Sequence, residues 1–215
     1  MKSQQNKIVR EKWHERVSRV LRSYMPDDII ETIHKTIIQT NEEHLSLTGY
    51  SVSFAPEYLI TVNLAKQIKK LNDVGYVYME WNIEDIIYSD NLKNLKHTRN
   101  GKCDICIVFN DNTNAIIEVK NTITQVGGKL KSIYKDIHRI SDFVLNENEL
   151  FNKGYVCFIV KARGEENALS KADKYISDMK NNFQKLFIYE DKKIFKEEKD
   201  SDMYLVSTVL RIQKK

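Results

Sequence analysis

The six residues Tyr155 to Val160, YVCFIV, constrain the fold more than any other stretch of this chain. They are apolar without alternation, so a strand formed there has no face to offer to water. Such a strand sits in the interior of a sheet with both faces covered. Its neighbours supply the covers. After Gly127-Gly128, the residues Leu130, Ile133 or Tyr134, Ile137, Ile140 or Ser141, and Val144 recur at helical spacing. From Glu165 to about Phe183, Leu169, Ala172, Ile176, Met179 and Phe183 do the same.

Upstream, the spacing predicts three more helices. Residues 5–24 carry a stripe of Val9, Trp13, Val17, Val20 or Leu21, and Tyr24, with Lys7, Arg10, Lys12, Arg16, Arg19 and Arg22 on the other faces. A second helix follows Pro26, with Ile30, Ile33 and Ile37 inward and Asp27, Asp28 and Glu31 at its positive end. Leu45 to Ala55 reads as a loop or short hairpin. Pro56 opens a third helix to about Leu71, with Ile60, Leu64, Ile68 and Leu71 inward; extended back one turn, that stripe reaches Glu57.

From Gly75 the period becomes two. Val77, Met79, Trp81 and Ile83 are expected on one face of a strand, and Tyr76, Tyr78, Glu80 and Asn82 on the other. Lys102–Phe109 and Ala115–Asn121 read as a hairpin turning through Asn110–Asn114, residues that tolerate unusual backbone angles. Two or three short strands end the chain: Lys185–Tyr189, Lys193–Lys196 and Met203–Ile212. The whole is expected to be a mixed α/β sandwich, helices packed on a central sheet, with extra helices at the N-terminus. At 215 residues and 41% hydrophobic content the chain supports one well-packed domain. We divide it into an N-terminal helical extension, 1–45, and a main domain, 46–215.

The hairpin carries the chemistry. If Asn110–Asn114 form the loop, Phe109 pairs with Ala115, Asp104 with Lys120 and Cys106 with Glu118. Slipping by two residues sets Asp104 opposite Glu118. In either even register Asp104, Glu118 and Lys120 share one face, while Ile105, Ile107, Ile117 and Val119 share the core face. An odd register breaks the group. Two carboxylates suit Mg²⁺, which takes hard oxygen ligands and keeps several waters. A bound metal activates water and offsets phosphate charge, and a neighbouring ammonium stabilises the transition state. The ordinary alternative for Glu118 and Lys120 is a solvated ion pair of little energetic weight.

The runs K-C-D104-I-C-I-V-F and I-I-E118-V-K120, with thirteen residues between Asp104 and Glu118, resemble the core of the PD-(D/E)xK nuclease superfamily. The resemblance spans about Pro56 to Val160, roughly half the chain. It implies a restriction-endonuclease-like fold and a Mg²⁺- or Mn²⁺-dependent nuclease acting on DNA phosphodiesters. It implies Asp104, Glu118 and the Val119 carbonyl as metal ligands and Lys120 beside the nucleophile. It also implies a further glutamate from the helix before the sheet, for which Glu57 stands first and Glu80 second; a helix-terminal role is the plain alternative for Glu57. Cys103 stands where the family often has proline, and no glutamine-rich motif follows the third strand. Lys135, His138 and Arg139 are candidates to touch a phosphate backbone; a solvated helix face is the alternative.

Other classes are disfavoured. Net charge is +4, which permits nucleic acid without demanding it. No apolar run is long enough to span a bilayer, and MKSQQNKIVREKW lacks the apolar core of a secretory signal, so a cytoplasmic protein without membrane partner is expected. Three cysteines fit a reducing compartment. Cys103 and Cys106, three apart on a strand, are expected on opposite faces and therefore not to chelate zinc together. The five histidines are scattered and read as solvated or capping residues. A homodimer is compatible with cutting two strands. A non-catalytic nucleic-acid- or protein-binding module, and an RNA-directed nuclease, are the competing readings.

Overall fold

The computed structural model describes residues 27–82, 84–85, 101–123, 128–145 and 151–214. The helix expected over residues 5–24, with His14, and the polar segment holding His97 lie outside them. The described elements run α1 (Asp28–Thr48), α2 (Glu57–Ile68), β1 (Val74–Asn82), β2 (Lys102–Phe109), β3 (Asn114–Ile123), α3 (Gly128–Val144), β4 (Phe151–Arg163), α4 (Glu165–Asn182), β5 (Leu186–Lys196) and β6 (Met203–Lys214). The strands form a six-stranded mixed sheet in the order β1-β2-β3-β4-β6-β5. β3 and β4 are parallel, joined across α3, and the other neighbours are antiparallel.

Each face of the sheet carries its own apolar layer. On one, Ile29, Ile30, Ile33 and Ile37 of α1 and Ile60, Leu64 and Ile68 of α2 cover Ile105, Ile107, Ile117, Val119, Cys157 and Ile159. On the other, Ile133, Ile137 and Ile140 of α3 and Ala172, Ile176 and Met179 of α4 cover Cys106, Ile116, Val156, Phe158 and Val160. Residues 155–160 have no exposed surface, as their unbroken apolarity requires. Each such side chain contributes about 1.5–3 kcal/mol through burial. Gly154 lets α3 lie close, since a Cβ there would meet Ile140 Cγ2 at 2.4 Å. Leu169, expected inward on α4, is only half-buried; Ala168 and Tyr175 take the buried places.

α1 is longer than expected, because Asp27 caps its start by accepting from Ile29 N–H at 3.2 Å and Gly49, at φ 75°, ends it. The boundary drawn at residue 45 falls inside this helix, and the helix is part of the core. His34, read from sequence as solvated or capping, has no exposed surface; its Nδ1 lies 2.8 Å from Ser207 Oγ and its Nε2 3.3 Å from Asp191. Hydroxyl, imidazole and carboxylate thus stand in a row, but Ser207 is sealed as well, so the row pins α1 to the β5–β6 hairpin. Residues 186–196 form one continuous strand, where two short ones were expected.

The β2–β3 register pairs Ile105 with Ile117 and Ile107 with Ala115. It is even, and it is the register that sets Asp104 on a level with Glu118. One expectation fails nearby. Glu80 adopts φ 50°, a left-handed backbone that costs a non-glycine residue about 1–2 kcal/mol. The alternation of β1 breaks there: Val77 and Met79 pack towards α1 and α2, whereas Trp81 packs towards α3. The break extends to β2. Cys103, paired with Trp81, lies in the same layer as Cys106, against strict alternation. A hydrogen bond between the two thiols, followed by burial, pushes the Cys103 thiol far up. Cys103 and Cys106 thus share a layer, where opposite faces were expected, and Cys157 lies in the other layer. No described helix is long and apolar enough to cross a membrane.

Candidate functional site

The site forms where β2 and β3 part. Their described pairing starts at Ile105 and Ile117. One residue beyond it, Asp104 takes the place of a strand neighbour: its Oδ2 accepts from Val119 N–H at 2.7 Å. This carboxylate is held at the strand junction by backbone, a placement that parity alone does not give.

Glu118 points towards α3 and is 1% exposed. Its Oε1 accepts from Arg139 Nη1 at 2.6 Å, and Arg139 also donates to the Lys102 carbonyl at 3.1 Å. Its Oε2 is buried and has no hydrogen-bond partner among the described residues. Burial first, and then the charge of Asp104, push the Glu118 carboxyl well above its ordinary range; Arg139 pulls the other way.

Lys120 gathers the rest. Its Nζ lies 3.2 Å from Asp136 Oδ2, 3.3 Å from Glu57 Oε1 and 3.9 Å from Asp104 Oδ2, and it donates to the Val119 carbonyl at 3.0 Å. Burial lowers its proton affinity, but Asp136, Asp104, Glu57 and Glu118 together outweigh burial and hold it above the ordinary lysine range. Lys120 is therefore an ammonium, a donor and not a base. Glu57, first residue of α2, also accepts from Asn121 N–H at 3.1 Å. Asn121 in turn donates its amide to the carbonyls of Val52 and Ala55, so the turn leading into α2 is tied to β3 beside Lys120.

Of the residues singled out from sequence, Glu57, Asp104, Glu118, Lys120 and the Val119 carbonyl all meet here. Glu80 is exposed on β1, on a level with Asp104. Lys135 and His138 stand on the exposed side of α3, the His138 ring edge-on to Phe183 at 4.7 Å. Arg139, expected to face a phosphate, is turned inward onto Glu118. Asp136 was missed. It is 4% exposed, and burial raises its carboxyl despite the opposing pull of Lys120 and Arg139. A signal for it exists: 133, 136, 137 and 140 form one helical stripe, and Asp136 is its single charged member.

Among the described residues, no three or more His, Cys, Asp and Glu side chains are arranged to hold a metal. Two carboxylates and one carbonyl remain as a partial donor set. That set fits Mg²⁺ or Mn²⁺, ions satisfied by one or two carboxylates with water for the rest. The unpartnered Oε2 of a sealed glutamate is the feature such an ion would complete, since a buried carboxylate oxygen without a donor is costly.

No family model matches the chain, and no curated protein matches it. Among solved structures, M. jannaschii TYW2 in complex with AdoMet is similar over 45% of this chain and 39% of that one, at 10% identity and a TM-score of 0.28. A likeness that slight carries no inference about fold or activity.

Proposed function

We propose that this chain is a Mg²⁺- or Mn²⁺-dependent nuclease of the PD-(D/E)xK type, with a restriction-endonuclease-like fold, hydrolysing DNA phosphodiesters. One observation supports it most: Glu118 keeps a buried carboxylate oxygen, unpartnered among the described residues, beside Asp104 and the Lys120 ammonium. Asp104, Glu118 and the Val119 carbonyl would hold the ion, which when bound supplies Lewis acidity and activates water. The remaining work falls to the chain. Arg139 orients Glu118 by taking Oε1 and leaving Oε2 free. Asp136 and Glu57 hold the Lys120 ammonium charged and in place, ready to donate to the attacking water or to a phosphoryl oxygen. Asn121 fixes Glu57 through its backbone N–H. The proposal extends to a cytoplasmic setting, which three free buried cysteines favour, and to a homodimer for double-strand cutting.

A second reading has its own support. The ion pairs Arg139–Glu118 and Lys120–Asp136 hold the site together as it stands, as they would in a non-catalytic nucleic-acid- or protein-binding module. Incubation with supercoiled plasmid, single-stranded DNA and RNA, in Mg²⁺, Mn²⁺ or EDTA, separates the readings. Metal-dependent cleavage of DNA, lost in Asp104→Ala and Lys120→Ala, is the expected result. Cleavage that survives both substitutions moves the site elsewhere. No cleavage of any substrate by folded protein leaves the binding module, and a preference for RNA corrects the substrate.

A further inference from the structure

The backbone kink at Glu80 has a second effect besides breaking the alternation of β1. It brings Trp81 onto the face that already carries Tyr78. The three rings of β1 then form a ladder: Tyr76 and Tyr78 have centroids 6.3 Å apart with planes 25° from parallel, and Tyr78 and Trp81 are 4.4 Å apart at 33°. Tyr76 is 64% exposed and Tyr78 40%. Among the described strands β1 lies at the sheet edge. It runs directly to the site: Tyr78 pairs with Cys106, Trp81 pairs with Cys103, and Asp104 follows Cys103.

Cations stand at both ends. Lys69 Nζ lies 5.9 Å from the Tyr76 ring centre. At the other end exposed Lys102 pairs with Asn82, next to Trp81. Near-parallel, half-wet aromatic rings flanked by ammonium groups are what single-stranded nucleic acid requires, because every base has a π-face and every linkage a negative charge. A paired duplex hides its base faces and cannot use such rings.

We propose that the β1 ladder is a stacking platform for unpaired bases. It would make the substrate of the neighbouring site a single strand, or a duplex with a frayed or single-stranded end. This rests on the nuclease reading for its location but not for its test. The kink at Glu80 is then the device that aligns the platform with Asp104.

The test is binding without turnover. A fluorescein-labelled oligothymidylate and a blunt duplex of equal length are titrated with the protein in EDTA and followed by anisotropy. The single strand is expected to bind at least about tenfold more tightly than the duplex. Tyr76→Ala/Tyr78→Ala is expected to weaken single-strand binding about tenfold or more, with little effect on the duplex, while Tyr78→Phe retains binding. Both rings are largely outside the core, and Tyr76→Ala alone gives a milder variant with the same direction of effect. Unchanged single-strand affinity in the double variant overturns the proposal. So does tighter binding of the blunt duplex, or a ladder whose removal changes only self-association in sedimentation. Cleavage of single-stranded DNA and of plasmid in Mg²⁺ or Mn²⁺ is scored separately: ladder-dependent binding without cleavage of either substrate sinks the nuclease reading and keeps the platform, and cleavage with ladder-independent binding does the reverse.

Discussion

Glu118 and Glu197 are both sealed from solvent, and both sit beside a lysine-bearing strand, yet they are built oppositely. Glu197 is 6% exposed, and its Oε1 accepts from Ser51, Ser53 and Lys161. Burial raises its carboxyl, but those donors outweigh burial and leave it below the ordinary value. Asn41 adds to the bracket, donating to the Glu197 carbonyl and accepting from Val52 N–H. The result ties the turn after α1 to the loop after β5. Glu118 has one donor, Arg139, and one bare oxygen, and burial leaves it raised. A buried carboxylate with three donors on one oxygen, a lysine among them, is a fastening. Glu118, with a single donor and a raised carboxyl, is instead where the proposed ion would bind.

The contrast can be broken most decisively by activity. Asp104→Ala or Glu118→Gln is expected to lower metal-dependent plasmid nicking at least about a hundredfold, whereas Glu197→Ala leaves the rate per folded molecule unchanged. A gel time course at equal folded concentration checks this. Next in size is stability. Glu197→Ala strands Lys161 and is expected to cost about 3 kcal/mol, a fall in Tm of about 6–12 °C by calorimetry. Glu118→Gln in EDTA is expected to leave Tm unchanged or higher, since an amide still accepts from Arg139 and the buried charge is gone. A large fall would show that Glu118 is a fastening too.

Metal sharpens the same difference. Mg²⁺ or Mn²⁺ at about a hundred times its dissociation constant is expected to raise the wild-type Tm by an amount corresponding to about 2.7 kcal/mol, and to do nothing for Glu118→Gln. The smallest expected effect is on pH. Because the folded carboxyl of Glu197 lies below its ordinary value of 4.5, its stabilising contribution is present above that pH. It is lost as pH falls from 4.5 through the lower folded value. The Tm gap between wild type and Glu197→Gln should therefore be open at neutral pH and close on acidification. A gap that widens on acidification would reverse the assignment.

Most of the frame was legible because it depends on period and parity. Ile60, Leu64 and Ile68 placed α2 and, one turn back, Glu57 at the site. The unbroken YVCFIV run placed β4 in the middle of the sheet. Two things were hidden. Parity says on which face Glu118 lies, but not what covers that face; the cover is α3, and with it Asp136 and Arg139. The alternation of β1 and β2 also assumed regular backbone, and nothing in the residues around Glu80 announces a left-handed turn within a strand.

By itself the sequence placed most of the described helices and strands and, on condition of an even hairpin register, grouped Asp104, Glu118 and Lys120 on one face, since side-chain period follows from backbone geometry; the register itself came from the structure. Tertiary structure alone decided which of those charges are paired. Pairing depends on elements distant in the chain, such as Arg139 against Glu118 and Glu57 against Lys120, and in a low-dielectric interior such partners set the charge state and the unfilled oxygen on which the proposed chemistry depends.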